Sequence, residues 1–163
     1  MAVREIVLWP DVRLSTACAP VAAITDDIRA LVSDMFETMY HAPGRGLAAP
    51  QVGVMSRLFV MDATWKEGER TPFVAINPEI LSVSEETCEM DEACLSIPGV
   101  TAAVTRPAGV ALRWTDLDGT RQERAFAGTE ARIVQHEADH LDGRVHFDRL
   151  DPKTRARLEE IYR

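Results

Sequence analysis

The sequence predicts an α+β fold, mainly antiparallel, with strands in the middle of the chain and separate helices on either side. Three features carry this expectation. "SRLFVMDA" (56–63) and "FVAINPEILSVS" (73–84) are rich in strand formers. "GVALRWTDLDGTRQERAFAG" (109–128) reads as a hairpin that turns at Asp118-Gly119. Apolar residues recur at helical spacing only before and after this region, which argues against an alternating βαβ pattern.

In chain order, residues 1–24 read as an irregular arm containing Pro10 and Pro20. Thr25 can cap a helix whose first turn, Asp26-Asp27, suits the positive end of the dipole. Ile28, Leu31, Val32, Met35, Phe36 and Met39 then form one apolar face, and Pro43-Gly44 ends the helix. After the strands, Thr129 is expected to cap a second helix with apolar positions Ile133, Val134, Ala138 and Leu141, closed by Gly143. Asp151-Pro152 opens a last short helix, with proline at its first position.

At 163 residues the chain suits a single domain, 1–163, with a core of its own. A composition of 46% hydrophobic and 27% charged residues is that of an ordinary globular protein, not a disordered one. The net charge of −8 argues against direct nucleic-acid binding, which needs a basic face. No apolar run is long enough to span a bilayer and the N-terminus lacks signal-peptide form, so no membrane association and a cytoplasmic location are expected. The three cysteines are too few and too scattered for a disulfide framework, and each reads by default as a buried free thiol.

The chemistry starts with "QHEADHLDG" (135–143). His136 and His140 are four apart, on one face of a helix, and can bind one ion together. Glu137 projects about 100° round the helix, beside the space where a metal would hold water. This is the H-E-x-x-H arrangement of two imidazole ligands and a glutamate base. A catalytic site needs a third protein ligand and one open position. Upstream, "DEACLSIPG" (91–99) offers Cys94; downstream are His146, Asp148 and Asp151. His146 follows Gly143 and is expected at the surface. Thiolate plus two imidazoles is a recognised catalytic set. In "GRGLAAPQVG" (44–53), small residues surround one polar side chain, Gln51. Small residues let backbone approach a ligand, and the glutamine amide could donate to a developing oxyanion.

Together these three stretches resemble the peptide deformylase family, whose motifs run G-x-G-[IL]-A-A-x-Q, E-G-C-L-S and Q-H-E-x-D-H in this order. The resemblance covers almost the whole chain, from "DMFETMY" to "FDRL". It implies antiparallel sheets around a central helix that carries H-E-x-x-H, with one N-terminal and one short C-terminal helix. It implies one divalent metal at Cys94, His136 and His140, ferrous iron natively, with zinc, nickel or cobalt also accepted by such ligands. The implied reaction removes the formyl group from N-formylmethionyl peptides. In residue terms, a metal-acidified water attacks the formyl carbon, and Glu137 takes a proton and returns it to the leaving amine. Gln51 and the Leu95 backbone N–H would hold the oxyanion. Asp139 would orient a ligand or a neighbouring segment, and Arg106 would pair with it to fix the helix against the strand after Cys94. Were that pair exposed, it would contribute little. The family's longer basic tail docks on the ribosome; here the C-terminal stretch is short and contains Glu159 and Glu160, so at most a transient ribosome association is expected.

Four departures from the motifs fall near substrate. Ala93 replaces the glycine before Cys94, and Arg45 stands where a branched apolar residue is usual, beside Gly46 in the substrate-binding stretch. Thr101 stands where arginine often holds the substrate backbone, and Thr129-Glu130 follow Gly128 where leucine is common. They suggest a deformylase-like hydrolase with intact chemistry and an altered pocket. Two rivals are a zinc metalloprotease built on His136, His140 and either His146 or a downstream acid, and a non-catalytic metal- or peptide-binding relative.

Overall fold

The structure is a computed structural model and describes residues 2–163. Helix α1 spans Asp26–His41, α2 Gly128–Leu141 and α3 Pro152–Tyr162. Strands β1 (Gly46–Ala48), β2 (Leu58–Met61), β3 (Phe73–Val83), β6 (Gly109–Thr115) and β7 (Arg121–Ala127) form one antiparallel sheet in the order β1-β2-β3-β6-β7. Strands β4 (Thr87–Cys94) and β5 (Ile97–Pro107) form a separate hairpin.

The five-stranded sheet is covered on both faces, which explains why β2 reads as an unbroken apolar run, Leu58-Phe59-Val60-Met61. Side chains alternate along a strand. Leu58 and Val60 pack with Leu31, Val32, Met35 and Met39 of α1, whereas Phe59 and Met61 pack with Ala131, Val134 and Leu141 of α2. Each such side chain, fully buried, contributes about 1.5–3 kcal/mol. A third cluster joins Cys94, Ile97 and Val100 of the β4-β5 hairpin to Val145 and Phe147 after α2, with Leu158 and Tyr162 of α3 against it. Helix α2 therefore lies between the sheet and the hairpin. Ten of its residues, Ala131, Arg132 and Val134 through Leu141, are buried.

Caps follow the sequence at three ends. Thr25 accepts from Ile28 N at the start of α1, and Asp151 accepts from Thr154 N with Pro152 at the first position of α3. Gly143, at φ +76°, ends α2: its N–H bonds to His140 O and that of Arg144 to Asp139 O. A side chain here would meet the Ser15 carbonyl carbon at 2.8 Å, so close approach of the N-terminal arm also requires glycine. The start of α2 differs from expectation. Ala127 is the N-cap, with no side-chain bond, and the helix begins at Gly128 with φ +60°. Thr129 lies inside the first turn, exposed, and caps nothing. Two further expectations fail: His146 is 1% exposed rather than at the surface, and Cys88 is exposed rather than buried. Strand β4 was not legible, because "TCEMDEAC" carries three acidic residues among few strand formers.

Asp62 ties α1, β2 and the following loop together. Its buried carboxylate accepts from Tyr40 Oη (2.6 Å), Trp65 N (3.1 Å) and Thr71 N (3.1 Å). Burial opposes its ionisation, but these bonds prevail and hold its pKa below the ordinary carboxylate value. The same loop supports the glycine stretch: Trp65 Nε1 donates to Gly44 O (2.9 Å) and Asp62 N to Arg45 O (2.9 Å). A depressed folded-state pKa adds stability above the unfolded value, lost as pH falls through the folded one. Asp62→Asn is expected to lower unfolding free energy by about 1–3 kcal/mol at pH 7 in urea titrations. The gap to wild type should narrow below about pH 3.9; a gap independent of pH would contradict the ionised role.

Candidate metal centre and its cleft

Helical spacing puts Thr129, Arg132, Ile133, His136, Glu137 and His140 on adjoining turns of one side of α2, where Arg132 and His136 meet Glu92 of β4 and Ile133 and Glu137 meet Gly46 of β1. On β4, Glu92 and Cys94 are two apart and both are buried facing that helix, whereas Ala93 between them is exposed. Leu95-Ser96 then turn the chain into β5, with Cys94 paired to Ile97. A cleft of about 760 Å³ opens here, lined among others by Gly46, Gln51, Cys94, Leu95, His136 and Glu137.

One ligand atom each from Cys94, His136 and His140 lies within 4.8 Å of the others. Cys94 Sγ is 3.4 Å from His140 Nε2, close to the roughly 3.6 Å between thiolate and imidazole ligands of a tetrahedral ion. Glu92 Oε1 is 2.8 Å from His136 Nδ1. Burial raises the Glu92 pKa, but bonds from His136 and Arg106 outweigh it, so the carboxylate is held well below its ordinary range. As an ionised acceptor it requires the proton on Nδ1, which leaves Nε2 free to bind an ion. Burial works against charge on His136, yet the Cys94 thiol and Glu92 push its pKa well above the ordinary value. The surroundings thus favour positive charge at this point. Donor types, separation and electrostatics all fit a divalent cation.

Burial raises the Glu137 pKa to about 7. Its Oε1 is buried with no hydrogen-bond partner among the described residues. Gly46 closes over it: a Cβ on Gly46 would come to 2.5 Å from Glu137 Oε2 and 2.8 Å from Ile133 Cγ2, so only glycine fits. Gln51 sits in the turn Ala49–Val52 after β1 and is 1% exposed. Its Oε1 accepts from Ala48 N (2.9 Å), and its Nε2 donates to Ser96 Oγ (3.0 Å) and faces Cys94 Sγ at 3.7 Å. The amide is oriented before any substrate arrives. Leu95 packs over Gly44, where a Cβ would approach its Cδ1 to 2.7 Å.

Sequence reasoning overlooked Glu92, which organises the site. It accepts from Arg106 Nε (2.5 Å) and Nη2 (2.9 Å), Arg132 Nη1 (2.7 Å) and His136. The signal available was strand parity, since an acid two residues before a candidate ligand shares its face. Arg106 also donates to Asp139 Oδ2 (2.8 Å), and Arg149 Nη2 pairs with Asp139 Oδ1 at 2.5 Å. The Arg106–Asp139 pair is buried, at 3% and 8% side-chain exposure, so the solvent-screened alternative does not apply. His146 lies 5.9 Å from His136 between ring centroids, outside the group of converging ligands, and burial lowers its pKa to about 4.

Of the substrate-side residues, Arg45 is half-buried and pairs with the exposed Glu67 at 3.0 Å. Ala93 pairs with Thr101 across the hairpin, and its φ lies outside the left-handed region, so the added methyl introduces no backbone strain. Arg45, Ala93, Thr101 and Thr129 all line the cleft.

A cysteine sulfur and two imidazoles gathered within 4.8 Å beside a buried glutamate, inside this α+β frame, define the class of metallohydrolases. Comparison with known proteins makes the assignment specific. The family model for polypeptide deformylase matches residues 3–156. The chain is 51% identical to the peptide deformylase of Afipia carboxidovorans over 158 residues, covering 97% of this chain and 92% of that one. Its fold superposes on the crystal structure of peptide deformylase from Ehrlichia chaffeensis with TM-score 0.91 at 38% identity, covering 98% and 95% of the two chains. It also matches the peptide deformylase from Legionella pneumophila, with TM-score 0.92, 38% identity and coverage of 99% and 94%. The chain belongs to the peptide deformylase family.

Arg106→Ala leaves Glu92 and Asp139 each short of a buried cation. It is expected to lower unfolding free energy by about 3–5 kcal/mol and to reduce metal retained after dialysis against a chelator. Wild-type stability with full retention would exclude a structural role for the pair.

Proposed function

We propose that the protein hydrolyses the formyl amide of N-formylmethionyl peptides, releasing formate and a free amino terminus. The observation that carries this reading is the group of Cys94, His136 and His140 ligand atoms within 4.8 Å, beside an unpartnered buried oxygen of Glu137. These three residues would hold a divalent metal. When bound, it supplies Lewis acidity that brings a water's pKa down to near 7. Glu137 accepts the proton of the attacking water at its free oxygen and delivers it to the amine nitrogen as the C–N bond breaks. Gln51 can lend a hydrogen from Ser96 or Cys94 to the oxyanion, with the Leu95 N–H as second donor. Glu92 keeps the His136 ring in the ligating tautomer, and the Arg106–Asp139 pair holds α2 against the hairpin. Gly46, Arg45 and Ala93 border the bound peptide.

Ferrous iron is the proposed native ion; zinc, nickel or cobalt can occupy such a set. A peptide deformylase from Ehrlichia chaffeensis that is similar to this chain was solved in complex with actinonin, which supports a ligand-binding cleft here. No helix among the described residues is long and apolar enough to cross a membrane, which fits the proposed cytoplasmic location. On α3, Lys153 and Arg157 are exposed while Arg155 is tied to Asp148 and Glu159. This leaves few free cations there, so any ribosome association through α3 would be transient.

Protein prepared without oxygen and loaded with ferrous iron or nickel is expected to hydrolyse formyl-Met-Ala-Ser. Glu137→Ala should lower kcat by about 10²–10⁴. Cys94→Ala should strip the metal, which a protease relying on His146 would retain. A folded, metal-loaded protein that turns over no formyl peptide would refute the proposal.

A further inference from the structure

Arg132 is a charged side chain that the reaction above does not use. It lies one turn before His136 on α2, lines the cleft, and is 7% exposed. Four of its five N–H groups have directed partners. Nη1 donates to Glu92 Oε2 (2.7 Å) and Val104 O (2.8 Å). Nη2 donates to Cys88 O (2.9 Å) and faces Cys88 Sγ (3.4 Å). The Nε–H alone has no acceptor among the described residues, and Nε is not one of the sealed, unpartnered buried atoms.

The neighbours of Arg132 shape the part of the cleft that it lines. Met90, Glu92 and Cys94 alternate on one face of β4; the last two are buried and Met90 is 42% exposed. Arg132 reaches both Cys88 and Glu92, so Met90 lies over it. Met90 with Thr129, Arg132 and Ile133 thus walls a recess of the cleft one turn from the candidate metal ligands. Gly46, packed on Ile133 and Glu137, closes the adjoining side. In a formyl peptide, two bonds separate the formyl carbon from the first Cα. The end of a methionine-length side chain then lies about one helical turn, roughly 5.4 Å, from the reacting centre.

We propose that Arg132 is a specificity-determining residue that selects a neutral, methionine-length side chain ending in a hydrogen-bond acceptor. The inference rests on the deformylase reading above. An apolar end would bury the Nε–H without a partner. A thioether satisfies it weakly, and a sulfoxide oxygen satisfies it well. A carboxylate is disfavoured, because the carboxyl groups of Asp91 and Glu137 share the cleft and Glu92 is already paired with the guanidinium at 2.7 Å. The expected order of first residues is methionine sulfoxide, then methionine, then norleucine.

The test measures kcat/KM for the three formyl-Xaa-Ala-Ser peptides and, by calorimetry, Kd for the same tripeptides without formyl, in wild type and Arg132→Lys. Lysine keeps a cation for Glu92 but has no Nε–H. Wild type should favour sulfoxide over norleucine roughly tenfold in both measurements, and the ratio should fall to near one in the variant. Ratios within twofold in wild type, or a ratio unchanged in Arg132→Lys, would overturn the inference while active hydrolysis leaves the deformylase reading intact. If no formyl peptide is cleaved but the tripeptides bind in the stated order, the deformylase reading fails and Arg132 selectivity stands. Tripeptide binding without order overturns the selectivity whatever the hydrolysis shows.

Discussion

The Glu92 carboxylate is the point on which the site depends. It is buried, ionised, and receives hydrogen bonds from Arg106, Arg132 and His136. A lone carboxylate in that position would neutralise or unfold its surroundings. Four directed donors keep it charged instead, and each donor comes from an element that must be held in place: Arg106 from β5, Arg132 and His136 from α2. Buried ion pairs add little net stability over apolar packing, but they penalise any arrangement that separates them. Here that penalty sets the position of α2 against the β4-β5 hairpin, and with it the distance from His136 and His140 to Cys94. Asp139 repeats the device one turn along, bridging Arg106 and Arg149.

The remaining architecture makes this cluster possible by keeping water out. The five-stranded sheet and α1 complete an apolar body on one side of α2, and the hairpin with α3 completes the other. A helix sandwiched in this way would normally be apolar all round. The helix α2 instead buries Arg132, Gln135, His136, Glu137, Asp139 and His140. Each has its own neighbour: Arg132 and His136 meet Glu92 of β4, His140 meets Cys94, Gln135 and Asp139 meet Pro107 and Arg106 of β5, and Glu137 faces Gly46 at the cleft. Gly46 and Gly44 lie against Glu137 and Leu95 so closely that side chains there would collide. The same tight fit that excludes water positions the glutamate.

Much of this was legible in the sequence because local chemistry decided it. Thr25, Pro152 and Gly143 marked helix ends through caps and a positive φ. The 3.6 period of Leu31, Val32, Met35 and Met39 showed the α1 face, and Asp118-Gly119 marked the hairpin. The spacing of His136 and His140, the small residues round Gln51 and the thiol at Cys94 pointed to one centre, and the structure gathers ligand atoms of Cys94, His136 and His140 within 4.8 Å, with Gln51 Nε2 3.7 Å from Cys94 Sγ. What stayed hidden depends on long-range partners. β4 looks polar, and nothing nearby in sequence shows that its one buried acid, Glu92, is satisfied by arginines 14 and 40 residues away, at Arg106 and Arg132. His146 looks exposed because nothing adjacent in sequence shows that His136 of α2 packs against it. Thr129 has a capping side chain, but Gly128 in the left-handed region lets the helix start earlier.

The central claim is that Glu92 builds the donor set before an ion arrives, by fixing the tautomer and orientation of His136. It is tested most directly by anaerobic titration with cobalt(II) in wild type and Glu92→Gln, following the thiolate-to-cobalt charge-transfer absorption. Glutamine is isosteric, so the fold can be checked to be the same by circular dichroism. Wild type should bind one equivalent with the thiolate band, and the variant should bind about 10–100-fold more weakly. Equal affinity and equal spectra in a folded variant would contradict the claim and place the origin of the site in α2 alone.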